Sequence, residues 1–344
     1  MTEQPVRVGL VGAGTNTRVK HIPGLQAIED VEIISVSNRS RASSERVAEQ
    51  FGIPTVYDNW LELVESPDTD AIVIGTWPYM HAPVTLAALN AGKHVLCEAR
   101  MARDAGEAHT MLDAAHANPH LIAQIVASPF TLTVDKTVKR LLAEGRLGEV
   151  LAIEIRDSTG FIDRDGPFHW RYDMELSGFN IMALGIWYES FLRWVGHATH
   201  VTAMGKTFVK TRLDPVTGEM RAIRIPDHLD VIATLECGAQ AHIGLSSVAG
   251  LAGDRELLIF GSEGTLRFAD DRLYGGKPGD ESLQEITIPP EEAGGWRVEE
   301  EFINAIRGVE KVTHTTFEDG VKYMEFTEAV TRSMMEGVTV ALPL

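Results

Sequence analysis

From Val6 to Ala127 the chain repeats one pattern: a short apolar run, then a longer stretch with apolar residues at helical spacing. The runs cover residues 6–11, 31–36, 71–74, 94–97 and 121–127. They are nearly continuous and largely β-branched or apolar, as strands buried on both faces are. Between them, residues 41–51, 60–64, 82–91 and 105–117 read as helices. Strict alternation of strand and helix predicts a parallel, doubly wound sheet. Ser128-Pro129 ends the fifth run and marks a domain boundary.

The pattern then changes. Residues 131–144 read as a helix, with Val134, Val138, Leu141 and Leu142 on one face and Gly145 as its stop. Residues 149–156 alternate as a strand. Residues 177–195 read as one long helix with Leu184, Tyr188, Phe191 and Val195 at helical spacing. Strand-like stretches follow at 201–209, 221–225, 231–237, 241–247, 256–260, 265–268 and 285–288, and helices at 298–307 and 317–335 close the chain. Strands in succession without intervening helices predict an antiparallel sheet in an α+β domain.

Composition narrows the classes. A chain of 344 residues accommodates two domains, 1–127 and 128–344. Its 44% hydrophobic and 23% charged residues are the balance of a globular protein. Cys97 and Cys237 make no disulfide framework, and no CxxC pair is present. Met1 to Gly14 lacks a basic start followed by an apolar stretch, which argues against secretion. No apolar run is long enough to span a bilayer. The expected location is cytoplasmic. A formal charge of −18 argues against nucleic acid and anionic membranes as partners, while leaving room for a local basic pocket.

Val8-Gly9-Leu10-Val11-Gly12-Ala13-Gly14-Thr15-Asn16-Thr17 carries the first chemical signal. Gly12 permits a tight turn, and Gly14 lets backbone N–H groups approach a pyrophosphate at a helix start. Thr17 occupies the third glycine position of the dinucleotide fingerprint. An ordinary βα turn is the plainer alternative, but the place after the first strand of an αβ half favours a Rossmann domain that binds a nicotinamide dinucleotide. The second strand ends Ser37-Asn38-Arg39-Ser40-Arg41, with no acid to hold a ribose 2′-hydroxyl. Arg39 and Arg41 tilt the expectation toward NADP, with NAD as the alternative. The expected fold class is therefore α/β, with an N-terminal Rossmann sheet and a C-terminal α+β domain built on a large, mainly antiparallel open sheet.

Several segments together resemble the Gfo/Idh/MocA oxidoreductases. They are Thr76-Trp77-Pro78-Tyr79-Met80-His81-Ala82, Ala91-Gly92-Lys93-His94-Val95-Leu96-Cys97-Glu98, Leu142-Ala143-Glu144-Gly145-Arg146-Leu147-Gly148-Glu149-Val150, Trp170-Arg171, Gly261-Ser262-Glu263-Gly264-Thr265-Leu266 and the Ala341-Leu342-Pro343-Leu344 end. The resemblance implies NAD(P) binding and hydride transfer with a sugar, a cyclitol or a related cyclic molecule. It also implies a homodimer or homotetramer formed through the open sheet. Gly12, Gly14, Thr15, Asn16, Asn38, Arg39, Ser40, Thr76, Trp77, Pro78, His81 and Glu98 are the expected cofactor residues.

The sequence departs from that family at the proton-transfer positions. The Glu-Lys-Pro triplet is Glu98-Ala99-Arg100, and an Asp/His pair four residues apart aligns with Ala183 and Trp187. Alanine transfers no proton, and an indole N–H does not titrate. Arg100 can hold an anion or an oxyanion but cannot act as a base. Within residues 163–173, His169 is the remaining acid/base candidate and Asp173 the group to orient it or act itself. Arg100, Arg171, Tyr172, Asn180 and Trp187 are the candidate substrate contacts, with an anionic substrate among the options. Asn180, Ala183 and Trp187 would share one face of the long helix. No metal is expected: His116 and His120 have Pro119 between them and no acid or Cys beside them. Three functions stay open: net oxidoreduction with an atypical acid/base set, a redox-neutral lyase or glycosidase-like reaction using bound NAD(P), and non-catalytic NAD(P)-dependent binding or regulation.

Overall fold

In the computed structural model, which describes residues 5–344, each apolar run of the first half supplies a strand of one parallel sheet. The strands are β1 (Val6–Val11), β2 (Val31–Ser37), β3 (Thr55–Val56), β4 (Ala71–Ile74), β5 (His94–Cys97) and β6 (Ala123–Ile125). Their order is β3-β2-β1-β4-β5-β6. The central strand β4 has no accessible surface on any of its four residues, which is why it is apolar throughout. The connections are a π-turn (Thr17–His21) running into α1 (Ile22–Gln26), then α2 (Arg41–Phe51), α3 (Trp60–Glu65), α4 (His81–Asn90) and α5 (Ala105–Ala117). Local chemistry sets their ends. Asn59 and Asp104 accept backbone N–H groups at 3.0 and 2.9 Å to cap α3 and α5. Gly52, at a φ of 71°, ends α2. The strand order reverses between β1 and β4, so a crevice opens at their carboxyl ends.

The chain divides into two units, and the division differs in one respect from a cut at Ser128 alone. Arg297–Val321 groups with the first unit, and the second comprises Ser128–Trp296 and Lys322–Leu344. Residues 1–4, which open the first domain in the sequence reading, lie outside the described residues. The physical reason for the return is an edge. β6 would present unpaired backbone, and Thr316 bridges to Gln124 while the Ile125 N–H donates to the Thr315 carbonyl at 3.0 Å. Buried Glu301, on α9 (Val298–Ile306), accepts from Gln124 Nε2 at 3.1 Å and the Thr313 N–H at 3.1 Å.

The second unit holds a nine-stranded sheet, with a two-stranded β9 (Thr211–Leu213) and β10 (Met220–Ala222) pair beside it in sequence. The strands are β7 (Val150–Ser158), β8 (Ala198–Lys206), β11 (His228–Leu235), β12 (Gln240–Ser246), β13 (Glu256–Gly261), β14 (Thr265–Ala269), β15 (Arg272–Gly276), β16 (Gln284–Ile286) and β17 (Val340–Ala341). Their order is β16-β15-β14-β13-β7-β12-β11-β8-β17. Only β7 and β12 pair in parallel; the other neighbours are antiparallel. Leu229, Val231, Ala233 and Leu235 of β11 are buried while Asp230, Ile232 and Thr234 are exposed, the alternation of a sheet covered on one face.

The expected long helix over 177–195 is two helices, α7 (Met174–Ser177) and α8 (Leu184–Val195), after α6 (Asp135–Ala143). Gly178 at φ 65° and Met182 at φ 43° break the path between them. Tyr188 of α8 stacks on Phe326 of α10 (Phe317–Glu336) with ring centroids 3.8 Å apart, and its hydroxyl accepts the Ala198 N–H at 2.9 Å.

Candidate functional site

The crevice at the end of β1 is a cleft of about 520 Å³, walled in part by Gly12, Gly14, Asn38, Arg39, Thr76 and Trp77. Six expected cofactor residues therefore meet in one concavity. Thr15, Asn16, Ser40, Pro78, His81 and Glu98 do not line it. The loop fits a pyrophosphate on steric grounds. Gly12 has a φ of +84°, and a Cβ there would lie 2.6 Å from Thr76 Cγ2. Gly14 is exposed, and a Cβ there would meet only the Gly75 carbonyl, at 3.4 Å. Thr17 is 1% exposed, and a Cβ on Gly75 would overlap its hydroxyl. The close packing that a third fingerprint glycine would allow is achieved by a glycine at the end of β4 instead.

Charges around the cleft revise one expectation. Arg41 is exposed and pairs with Glu45 and Asp58, each at 2.8 Å, so a 2′-phosphate would compete with two carboxylates for it. Asn38 is also committed, its Oδ1 accepting the Ala13 N–H at 2.6 Å and its Nδ2 donating to the Ser43 carbonyl at 3.2 Å. Arg39 remains, with its guanidinium carbon 5.6 Å from the Trp77 ring centroid. His81 has no accessible surface, and its ring nitrogens face the carbonyls of Thr76 (3.1 Å) and Arg100 (2.9 Å). Burial pushes its pKa down. His81 thus holds two backbone segments and is screened from a cofactor, contrary to its expected contact.

Glu98 belongs to a network that the sequence did not reveal. His21, which reads as one of several scattered histidines, is fully buried between two carboxylates. Its Nε2 lies 2.9 Å from Glu98 Oε1 and its Nδ1 lies 2.5 Å from Glu299 Oε1. Asn16 Nδ2 donates to the same Glu98 oxygen. Burial opposes a charge on His21, but the hydrogen bonds to Glu299 and Glu98, with their charges, outweigh it and raise its pKa to about 9. Burial likewise works against the Glu98 carboxylate, yet the His21 hydrogen bond and charge hold its pKa below the ordinary range.

In the second unit the expected residues separate. His169 is exposed at the start of the short turn Trp170–Tyr172, where its Nδ1 accepts the Arg171 N–H at 3.3 Å. Partial desolvation by its neighbours, then the nearby Arg171 charge, lowers its pKa. Asp173 does not orient His169. Its Oδ1 caps α7 through the Glu175 N–H at 2.9 Å, and its Oδ2 takes Arg221 at 2.7 Å. Arg171 lies 4.4 Å over the Trp170 ring. Tyr172 lines a second cleft of about 230 Å³ that also includes Arg212, Phe161 and Asp227.

The shared helix face does not form, because Asn180 and Ala183 precede the first residue of α8. Asn180 is 2% exposed and donates to the Ser177 carbonyl. Trp187 has no accessible surface and donates to Asp157 Oδ2 at 2.8 Å, so its indole belongs to the core and not to a ligand face. Arg100 is half-buried, and its carbonyl is one of the two that His81 faces. Among the described residues, no group of three or more His, Cys, Asp or Glu could hold a metal, and no helix is long and apolar enough to cross a membrane.

Known proteins agree with this architecture. An oxidoreductase 27% identical over 303 residues, from Synechocystis sp., matches 84% of this chain and 81% of its own length. Levoglucosan dehydrogenase of Pseudarthrobacter phenanthrenivorans is 26% identical over 188 residues, 51% of this chain and 47% of that enzyme. A solved oxidoreductase domain protein from Kribbella flavida superposes with a TM-score of 0.86 over 99% of this chain and 100% of its own, at 21% identity, a likeness of fold. The model of the oxidoreductase family with an NAD-binding Rossmann fold matches residues 6–124, and that of the Gfo/Idh/MocA C-terminal domain matches residues 136–267. With both halves matched, the chain belongs to the Gfo/Idh/MocA family of NAD-dependent oxidoreductases.

Proposed function

We propose that this oxidoreductase interconverts a carbinol and a carbonyl on a small polyhydroxy ring. The observation that carries the cofactor half is the cleft at the β1/β4 crevice, where Gly12 has neither the backbone conformation nor the room for a side chain. Gly12 and Gly14 would hold a pyrophosphate there, with Arg39 and Trp77 beside it. When bound, the nicotinamide supplies or accepts hydride. NAD(H) is preferred over NADP(H), since a 2′-phosphate would compete with two carboxylates for Arg41. The names of relatives support the substrate class: levoglucosan dehydrogenase, 1,5-anhydro-D-fructose reductase and glucose-6-phosphate 3-dehydrogenase.

His169 is the proposed oxygen-side group. A lowered pKa keeps its ring neutral at physiological pH. With Nδ1 accepting from Arg171, the ring proton sits on Nε2, so His169 presents a hydrogen-bond donor. A neutral imidazole in that tautomer polarises a carbonyl oxygen and leaves full proton transfer to solvent. This reading fits the resemblance, which sets Ala99, Ala183 and Trp187 at the positions of the family's Lys, Asp and His. Tyr172, which lines the second cleft, would supply a contact to the sugar ring.

A second reading, cofactor-dependent binding without turnover, draws support from the core position of Trp187. One experiment separates the two. The full chain is titrated with NADH and NADPH by calorimetry, then supplied with NAD and a panel of monosaccharides, anhydrosugars and cyclitols while reduced-nicotinamide absorbance is followed. Turnover with at least one ring substrate supports the proposal. NADH binding with no turnover across the panel favours the binding protein, and product without net cofactor change favours a redox-neutral reaction.

A further inference from the structure

We propose that His21 is a positioning residue for the cofactor loop: clamped between Glu98 and Glu299, it fixes the Glu98 carboxylate that in turn holds Asn16. The inference rests on reading the β1/β4 cleft as the dinucleotide site. Three independent features of the first unit converge on it. Thr17–His21 is a π-turn, wider than an α-turn, so residues five apart lie one above the other. Asn16 and His21 are five apart, their side-chain nitrogens are 3.4 Å from one another, and both reach Glu98 Oε1. An ordinary α-turn would stack Asn16 on Lys20 instead.

The second feature is the opposite side of the ring. Glu299 comes from α9, 278 residues along the chain, and its side chain is 4% exposed. It also fills the space over Gly24, where a Cβ would lie 2.9 Å from the Glu299 carboxyl carbon. A ring with a carboxylate on each nitrogen donates from both and has one orientation. A single carboxylate would leave it free to flip or change tautomer.

The third feature is where the network ends. Asn16 follows Gly14-Thr15 directly, so a bond from Asn16 to the end of β5 sets the position at which the phosphate loop turns into its helix. The helix-start N–H groups are the ones that meet a pyrophosphate. His21 therefore acts on the cofactor through Glu98 and Asn16, from a position with no accessible surface of its own.

The test is a double-mutant cycle on the full chain, with NADH binding read by calorimetry and folding by urea titration. His21→Leu is expected to weaken NADH binding by about tenfold, and Asn16→Ala by a similar factor, with the double variant little worse than either single one. His21→Gln, which keeps a donor toward Glu98, restores part of the affinity. Glu299→Gln preserves shape if His21→Leu does not fold, and it is expected to weaken NADH by about threefold or more. Equal penalties for Asn16→Ala in the wild-type and His21→Leu backgrounds overturn the inference. So does NADH affinity within about twofold of wild type in His21→Leu, or in Glu299→Gln if His21→Leu does not fold. Failure of the wild-type chain to bind NADH overturns the cofactor reading itself, and this inference with it.

Discussion

The same buried histidine predicts how stability depends on pH. Its neighbours are Glu98 at the end of β5, Glu299 on α9 and the neutral amide of Asn16. The His21 pKa rises from 6.5 to about 9 on folding. A raised pKa means that the native state keeps a proton the unfolded chain releases. The stabilisation is complete below the unfolded value of 6.5 and is lost as pH rises through about 9. At about 1.4 kcal/mol per unit, the shift is worth roughly 3 kcal/mol. Unfolding free energy should therefore fall by roughly 1.4 kcal/mol per pH unit between these two values. Glu98 works in the opposite sense: its depressed pKa contributes stability above the unfolded value, lost in acid as pH falls through the folded one. The measurement is urea unfolding of wild type and His21→Gln at constant ionic strength, from about pH 6 to about pH 10, with the His21 imidazole titrated by NMR in parallel. His21→Gln should be less stable near neutrality, because two buried carboxylates lose the cation between them. It should also lack the decline across the window. Parallel pH profiles for the two proteins would refute the assignment, as would a His21 that titrates near its free value.

Four further outcomes follow from the geometry. Gly12→Ala places a Cβ 2.6 Å from Thr76 at a φ of +84°, so NADH affinity measured by calorimetry should drop by about tenfold, with about 1–3 kcal/mol of stability lost. Trp187→Phe leaves buried Asp157 without its indole donor, which should cost about 1–3 kcal/mol in urea unfolding while KM for NAD stays unchanged. Arg39→Ala should change NAD binding by less than about threefold and weaken any NADP binding more, seen in paired titrations. Once a substrate is in hand, His169→Phe should lower kcat by about tenfold or more with little change in substrate KM, as removal of a transition-state contact does.

Much of the fold was legible because burial dictates residue type. A strand covered on both faces must be apolar throughout, and residues 71–74 announce this without any partner being known. The alternation at 231–235 marks a half-covered strand in the same way. The glycine-rich turn after β1 was legible because Gly12 adopts a positive φ there, which favours glycine. Other features were decided only by long-range packing. The extent of the 177–195 helix was overestimated because helical spacing continues through Asn180, and spacing does not register the backbone reversal at Gly178 and Met182. Trp187 looked like a ligand face and is core, because an indole serves either role until its Nε1 partner, Asp157 on β7, is known. His21 looked incidental because its two carboxylates come from the end of β5 and from a segment that returns to the first unit only at Arg297, Glu299 standing 278 residues after His21. The sequence by itself thus determined what depends on near neighbours: the strand alternation, the turns and the glycine-rich loop after β1. Tertiary structure alone decided which charges are shared, because a pKa and a buried ion pair depend on distances between groups that the chain order does not encode.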